Sequence, residues 1–487
     1  MHPFFRWIKK NLIDEEPSPD EDSSLDEPEE EPPLPVEEPH PEVPRPIRKT
    51  PRSGEGRKPS RLKKDPIRKS LELFALCLLV VILAALSVLN TYQSESSVSL
   101  LEQMLPLFFY AVGFPALLFG MFLANWKGDA GLFGAITLIV GIGLVIQFRM
   151  GSFSEGLDKP ATLLPFPCGL GAFSLGILLC SKGRCASLSR FGWVAYAVAL
   201  LGLLSMLVFG RKFRGGFYMP GGMNPTEIVK PMLVWFLAFF LCRVGKDLSE
   251  TRLGIPFPPW RSVLWLAALW GVPLVLAVVL HDLGLMVLLA AILLTMVFVA
   301  TGVGFYLLLG FGSVFAAAAI VQRISDHART RFDVWLHPFQ DPSGKSWQAL
   351  QALSAMFSGG WWGAGLGAGL PQTVPIVTSD FIYAEIAEEL GFVGCICILL
   401  AYLILFSRGF KAAGASRTPF ERYLCAGLTA SLALQTVLNI AGVTKALPMT
   451  GITLPFISHG GFSLVTTLFI AGMLVGLSDR KGQVSRS

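Results

Sequence analysis

A chain of 487 residues in which 52% of positions are hydrophobic and only 15% are charged is too apolar for a soluble multidomain protein. The formal net charge of +5 does not indicate a nucleic-acid partner, because the basic residues are dispersed among short loops. Apolar runs of about 18 residues or more recur, and each is long enough to cross a membrane as a helix. The composition therefore predicts an all-α, polytopic transmembrane protein.

The N-terminal tail, residues 1–69, differs from everything after it. An acidic, proline-rich tract is followed by a basic one, a composition typical of disorder. Twelve spans are predicted after the tail, at 70–90, 104–124, 130–148, 160–180, 192–210, 226–243, 262–280, 282–301, 303–322, 381–407, 420–443 and 462–478. For this count to hold, one very long apolar stretch must turn at His281 and Asp282.

Positive charges predict the orientation. They are concentrated in alternate loops, at Lys127, Lys182, Arg184, Arg190, Arg243, Lys246, Arg252, Arg261, Arg408, Lys411, Arg417, Arg422, Arg480 and Lys481. Such loops face the cytoplasm, which also places both termini there. The longest loop, 323–380, is then extracytoplasmic.

Some positive charges remain on the predicted outer side, at Arg211, Lys212, Arg214, Arg323, Arg329, Arg331, Lys345 and Lys445. As a group they favour a phosphate-bearing ligand at the membrane surface, although headgroup anchoring or solvation is the better explanation for any single one. Acidic residues also lie within or beside spans, at Glu227, Asp282, Asp380, Glu388 and Glu389. Ionisable groups at such depths require a function or a fixed partner. For Glu227 the simplest partner is Lys230, three residues later on the same helix.

The segment 335–369 combines tryptophans, prolines and glycines with a single acid, Asp341. Glycines permit close backbone approach to a ligand, and tryptophans favour the membrane interface. A carboxylate held near a sugar hydroxyl can accept its proton as a general base. Asp341 precedes a proline, however, and Asp-Pro is also a common turn former. Composition leaves these two alternatives open.

The order of residues in this loop is specific. Trp335, Pro338, Asp341, Pro342, Gly344 and Gln348 are followed by Ser358, Gly359, Gly360, Gly363, Gly365 and Gly367, then by Asp380, Glu388-Glu389-Leu390-Gly391, Pro455 and Ser458-His459-Gly460-Gly461. This pattern resembles the SEDS family of bacterial cell-wall proteins, which includes FtsW, RodA and SpoVE. Upstream, Asn224-Pro225-Thr226-Glu227 stands where the family has Gln-Pro-Ser-Glu, and Arg214 matches an arginine of the family. His459 replaces the tyrosine that is usual in the family.

The resemblance implies a ten-span glycosyltransferase core, residues 130–480, preceded by two additional N-terminal spans within 70–129, similar to some RodA-like proteins. The implied activity is polymerisation of lipid II, an undecaprenyl-pyrophosphate-linked disaccharide peptide, at the outer face of the bacterial cytoplasmic (inner) membrane, for elongation or division. Asp341 is the implied catalytic base, and we predict that the other site residues contact substrate: Arg211, Arg214, Glu227, Lys230, Gln348, Asp380, Glu388, Lys445, Ser458 and His459.

Other functions fit the same features. A transporter that flips lipid II also has many spans and intramembrane charges, and a ligase for another lipid-linked glycan would share the chemistry. No cofactor is certain; a divalent cation, Mg²⁺ or Mn²⁺, could help to neutralise pyrophosphate, but a single carboxylate among scattered acids defines no metal site. The resemblance implies a class B penicillin-binding protein as partner, in addition to membrane lipid.

Overall fold

The computed structural model describes residues 66–91, 99–156, 160–213, 216–219, 224–252, 255–256, 258–310, 312 and 326–479. The predicted disordered tail lies outside the described residues up to position 65, and Arg214 and Arg323 also lie outside them. Within the described residues the chain is mainly helical, which confirms the predicted fold class.

The helices are α1 Pro66–Thr91, α2 Leu100–Gln103, α3 Leu105–Leu123, α4 Ala130–Arg149, α5 Pro160–Leu163, α6 Pro165–Cys180, α7 Cys185–Leu188, α8 Gly192–Phe209, α9 Thr226–Leu248, α10 Trp260–Val279, α11 Leu283–Thr301, α12 Asp326–Leu336, α13 Trp347–Gly359, α14 Ile382–Gly414, α15 Pro419–Val443 and α16 Gly461–Leu477. Short 3-10 turns lie at Ser181–Gly183, Ser189–Phe191 and Pro371–Thr373. Two antiparallel hairpins complete the fold: β1 Arg211–Phe213 with β2 Gly216–Tyr218, and β3 Thr251–Arg252 with β4 Ile255–Pro256.

Nine helices among the described residues are long and apolar enough to cross a membrane, and Leu71–Leu86 and Gly461–Leu477 are slightly shorter apolar helices. Together these account for eleven of the twelve predicted spans. In the remaining predicted span, 303–322, residues 311 and 313–322 fall outside the described residues. The chain is therefore a multi-pass membrane protein.

The predicted turn at residues 281–282 is confirmed. Helix α10 ends at Val279, and His281 adopts a positive φ of 58°. The Asp282 carboxylate then accepts a hydrogen bond from the Leu285 amide at 2.9 Å, which caps the first turn of α11. One apolar stretch is thus divided into two helices by a single capped turn.

Helices α4, α9 and α15 are the most buried spans and form the centre of the bundle. Helix α15 packs against α9, α11 and α14, α4 packs against α1 and α14, and α6 packs closely along α16. Peripheral helices such as α3 and α10 expose large apolar side chains, including Phe119, Phe122 and Trp265. This pattern is expected of helices whose outer faces contact lipid rather than water.

Candidate active site

The loop that contains Asp341 is fastened at its first helix, α12. The Arg331 guanidinium donates hydrogen bonds to the Met449 carbonyl at 3.1 Å and the Thr450 carbonyl at 2.8 Å. The Trp335 indole N–H donates to the Lys445 carbonyl at 2.9 Å. Helix α12 is therefore held against residues 445–450, in the first half of the connection between α15 and α16.

Asp341 lies in the turn between α12 and α13, and its side chain is exposed. Its main-chain carbonyl accepts hydrogen bonds from the Gly344 amide at 3.4 Å and the Ser346 amide at 3.2 Å. Its carboxylate Oδ2 accepts one from the Lys345 amide at 3.0 Å. Asp341 does form the turn, as one alternative required, while its carboxylate stays open to solvent.

Gly344 lies directly beside this carboxylate. A Cβ added to Gly344 would overlap both carboxylate oxygens of Asp341. The glycine of the Asp-Pro-x-Gly pattern therefore keeps room for the acid in its present position.

Lys445 follows α15 and adopts a positive φ of 62°. Its ammonium group donates a hydrogen bond to the Val334 carbonyl at the end of α12. Partial burial lowers the pKa of Lys445 below its ordinary value. The structure thus places this cation against the helix that leads into the Asp341 turn, and its predicted contact with pyrophosphate stays a prediction.

The predicted pair of Glu227 and Lys230 is confirmed, with a distance of 2.6 Å between the carboxylate and the ammonium group. Lys230 also donates to the Gln435 side-chain oxygen at 3.1 Å, which joins α9 to α15. Asp282 lies within electrostatic range of Glu227, Lys230 and Arg331. Charges from three separate segments therefore lie near one another in a partly buried cluster.

Asp380 lies at the edge of this cluster. Its main-chain carbonyl accepts a hydrogen bond from the Asn439 amide group at 3.1 Å, and Asn439 also donates to the Ile452 carbonyl at 2.7 Å. A Cβ built at Gly451 would lie 3.5 Å from the Arg331 Nη2 atom and 3.9 Å from the Asp380 Oδ2 atom. Both side chains thus approach Gly451.

The glycine-rich segment after α13 docks against the first turns of α14. The amides of Ala364 and Gly365 donate to the carbonyls of Glu388 and Glu389, at 2.9 and 3.0 Å. Gly391 interrupts α14 with a φ of 67°, and a Cβ at Gly363 would overlap the Glu389 carbonyl. We expected the glycines to admit a ligand, but the neighbour that Gly363 approaches is the backbone of α14.

Glu388 and Glu389 point back into this docked segment. Glu388 Oε1 accepts a hydrogen bond from the Leu370 amide at 3.1 Å, and Glu389 pairs with Arg149 at 3.0 Å. Arg149 donates further to the Gly367 carbonyl at 2.8 Å. Sequence reasoning missed Arg149, although a lone arginine at the predicted outer end of a span was a usable signal.

Ser458 and His459 contact the segment that leads into α14. The Ser458 hydroxyl donates to the Ser379 carbonyl at 2.6 Å and accepts from the Leu454 amide at 2.8 Å. The His459 main-chain amide donates to the Thr378 carbonyl at 2.7 Å. Burial lowers the pKa of the His459 imidazole. These contacts hold the 451–460 loop, and the predicted substrate contacts of both residues stay predictions.

Two further predicted site residues are exposed. Gln348 is exposed in the first turn of α13, and Arg211 is exposed at the start of the β1–β2 hairpin. Across the described part of the chain, no group of three or more His, Cys, Asp or Glu side chains is arranged to hold a metal ion.

Residues 173–483 match the model of the FtsW/RodA/SpoVE family, described as a cell cycle protein. The chain belongs to the FtsW/RodA/SpoVE family. The predicted family is thereby confirmed, while the role of Asp341 within the loop pattern stays a prediction.

Relatives and solved structures agree with this family. The peptidoglycan glycosyltransferase RodA of Mycobacterium tuberculosis is 32% identical over 435 residues, which cover 85% of this chain and 91% of the relative. An FtsW relative from Trichlorobacter lovleyi is 34% identical over 303 residues, covering 59% of this chain and 76% of the relative. RodA of Thermus thermophilus superposes with a TM-score of 0.50 at 25% identity, covering 73% of this chain and 98% of that structure.

A chain from a peptidoglycan synthase complex that coordinates polymerization and crosslinking superposes with a TM-score of 0.54 at 27% identity. The match covers 73% of this chain and 99% of that chain. Similarity to FtsW/RodA/SpoVE proteins therefore extends from sequence to architecture.

Proposed function

We propose that the protein polymerises lipid II into glycan strands at the outer face of the bacterial cytoplasmic membrane, with Asp341 as the general base. The chain is a peptidoglycan glycosyltransferase of the FtsW/RodA/SpoVE family. The observation that carries the assignment of the base is the exposed Asp341 carboxylate, held in a turn by one backbone amide.

In the proposed reaction, Asp341 accepts the proton of the 4-hydroxyl group on the acceptor sugar. The freed oxygen attacks the anomeric carbon of the donor chain, and the bond from that carbon to the pyrophosphate oxygen breaks with inversion. Undecaprenyl pyrophosphate leaves with the bonding electron pair. The position of Asp341 supports this role because one carboxylate oxygen is occupied by the turn and the other remains available to a hydroxyl group.

Arg211, Arg214 and Lys445 are the proposed counter-charges for the leaving pyrophosphate. The attachment of Lys445 to α12 supports this part of the proposal, because it fixes a cation beside the helix that leads to Asp341. A divalent cation, Mg²⁺ or Mn²⁺, is proposed only as a ligand of the pyrophosphate itself. No step of the reaction is assigned to it.

We further propose that both termini are cytoplasmic and that a class B penicillin-binding protein is the partner that crosslinks the strands. The charge pattern of the loops supports the orientation. The similarity to a chain from a complex of polymerization and crosslinking supports the partner. The match to the mycobacterial RodA covers 85% of this chain, so it extends beyond the core at residues 130–480. This match favours the elongation branch of the family.

The test is polymerisation of purified lipid II by the full chain in detergent, with strands resolved by gel electrophoresis. Asp341→Asn should bind lipid II normally and form no strands. Repeating the assay of the unchanged protein with EDTA shows whether polymerisation depends on a divalent cation. Asp333→Asn is the matched control, because Asp333 is an exposed acid on α12 of the same loop. Normal polymerisation by Asp341→Asn would sink the assignment of the base and favour lipid transport.

A second variant keeps the acid and changes only its position. Gly344→Ala places a methyl group against the Asp341 carboxylate, so polymerisation should fall while the thermal stability of the protein changes little. Wild-type rates in Gly344→Ala would show that the observed position of the carboxylate is not the reactive one.

A further inference from the structure

A groove lies between α3 and α6, separate from the candidate active site. It encloses about 540 Å³ and is lined mainly by apolar and small residues, among them Gly120 and Met121 on α3, Ala124 directly after α3, and Gly171 and Leu178 on α6. Gly120, Gly171 and Leu178 are exposed, so the groove opens at the surface of the bundle. Because these helices are membrane spans, this opening faces lipid.

The groove is closed at one end and open along the rest. At the closed end a Cβ on Gly113 would lie 2.5 Å from the Leu170 side chain, so the two helices touch there. At Gly120 and Gly171 a Cβ would meet no atom within 4 Å. The groove is therefore open at Gly120, seven residues beyond the contact at Gly113, and it begins on α6 at Gly171, the residue after Leu170.

The length of the groove corresponds to one leaflet. From Gly113 to Ala124 the rise of a helix is about 16 Å at 1.5 Å per residue. The hydrocarbon core of a bilayer is about 30 Å thick, so one leaflet contributes about 15 Å. The acyl chains of one phospholipid fill one leaflet, so the length of the groove matches a single lipid.

Two cations stand at the open end. Lys182 and Arg184, both exposed, line the groove where α6 ends, and Lys182 has a positive φ of 57°. The Asp479 carboxylate also lines this end, but it accepts a hydrogen bond from the Lys127 amide at 3.0 Å. In the proposed orientation this is the cytoplasmic end, at the depth of lipid headgroups.

A second groove provides a contrast. It lies between α1 and α3, encloses about 500 Å³, and its described lining contains only apolar and aromatic residues. Acyl chains could occupy either groove, but only the groove between α3 and α6 can distinguish one headgroup from another.

We propose that the groove between α3 and α6 binds one anionic phospholipid of the cytoplasmic leaflet. Its acyl chains lie along Gly120 and Gly171, and its phosphate is held by Lys182 and Arg184. The bound lipid joins α3, which precedes the family core, to α6 within that core.

The experiment is native mass spectrometry of the full chain, titrated in detergent with phosphatidylglycerol or with phosphatidylcholine. The wild type should bind one phosphatidylglycerol in preference to phosphatidylcholine. Lys182→Gln and Arg184→Gln should each weaken phosphatidylglycerol binding about fivefold and leave phosphatidylcholine unchanged. Gly120→Leu, which adds a side chain where the structure is open, should weaken binding of both lipids.

Two matched controls keep this test specific. Gly271→Leu adds the same side chain on α10, where a Cβ also meets no atom within 4 Å, and Lys246→Gln removes an exposed charge from α9. Both should bind lipid like the wild type, and size-exclusion chromatography confirms that each variant is folded.

Three results would overturn the proposal. The first is unchanged phosphatidylglycerol binding in Gly120→Leu, and the second is equal binding of the two lipids by the wild type. The third is a wild-type dimer that Gly120→Leu converts to a monomer, because the groove would then hold a second copy of the chain.

Discussion

Replacing Gly363 with alanine tests whether the glycine-rich segment is built for contact with α14 or for contact with a ligand. Gly363 has a φ of 82°, and an alanine there costs about 1–3 kcal/mol in backbone strain. Its Cβ would also overlap the Glu389 carbonyl, which adds about 1–3 kcal/mol for overpacking. Gly363→Ala should therefore lower the stability of the protein by about 2–6 kcal/mol.

Gly365→Ala is the matched control. Gly365 has a φ of 107° in the same segment, but the nearest neighbour of its Cβ would be the Ala368 side chain at 4.0 Å. Gly365→Ala costs only the backbone strain, so its melting temperature should be clearly higher than that of Gly363→Ala. Thermal unfolding in detergent measures the stability of both variants, and the lipid II polymerisation assay measures their activity. Equal stability of the two variants, with polymerisation lost only in Gly363→Ala, would refute the docking role and indicate a ligand contact.

Three further outcomes follow from the buried charges and the histidine. Glu389→Gln leaves Arg149 without its counter-charge and should destabilise the protein by about 3–5 kcal/mol in thermal unfolding. Adding Arg149→Gln should restore part of this stability, and a double variant that is no more stable than Glu389→Gln alone would contradict the prediction. Lys230→Met leaves Glu227 without its counter-charge and should likewise destabilise the protein. Adding Glu227→Gln to Lys230→Met should recover much of the lost stability. The pKa of His459 is lowered, so the unfolded chain takes up a proton near pH 6.5 before the folded chain does, and stability should fall as the pH drops from 7 towards 5. His459→Tyr should reduce this dependence, and an unchanged melting profile across that pH range would contradict the argument.

The sequence predicted those parts of the fold that depend on local signals. The long apolar stretch could be divided at residues 281–282 because Asp282 is a favourable helix N-cap, and the structure has the cap at that position. The pairing of Glu227 with Lys230 was also predictable from local sequence, because the two residues are about one helical turn apart.

Contacts between distant segments could not be predicted from local pattern. Arg149 and Glu389 are 240 residues apart, and nothing in either neighbourhood indicates the other. The loop pattern identified Asp341 through its resemblance to a family. It did not reveal that Gly363 faces a backbone carbonyl, because a glycine that admits a ligand and a glycine that admits a helix look the same in sequence.

The attachment of α12 to the connection between α15 and α16 also has a consequence for biosynthesis. Arg331 binds carbonyls that lie 118 and 119 residues later in the chain, and Trp335 binds one that lies 110 residues later. At about 5–20 residues per second, a ribosome needs about 6–24 s to make that stretch. During this interval the Asp341 turn is already translated while its anchors do not yet exist. A nascent chain that stops before residue 445 therefore carries the proposed base but none of these three contacts.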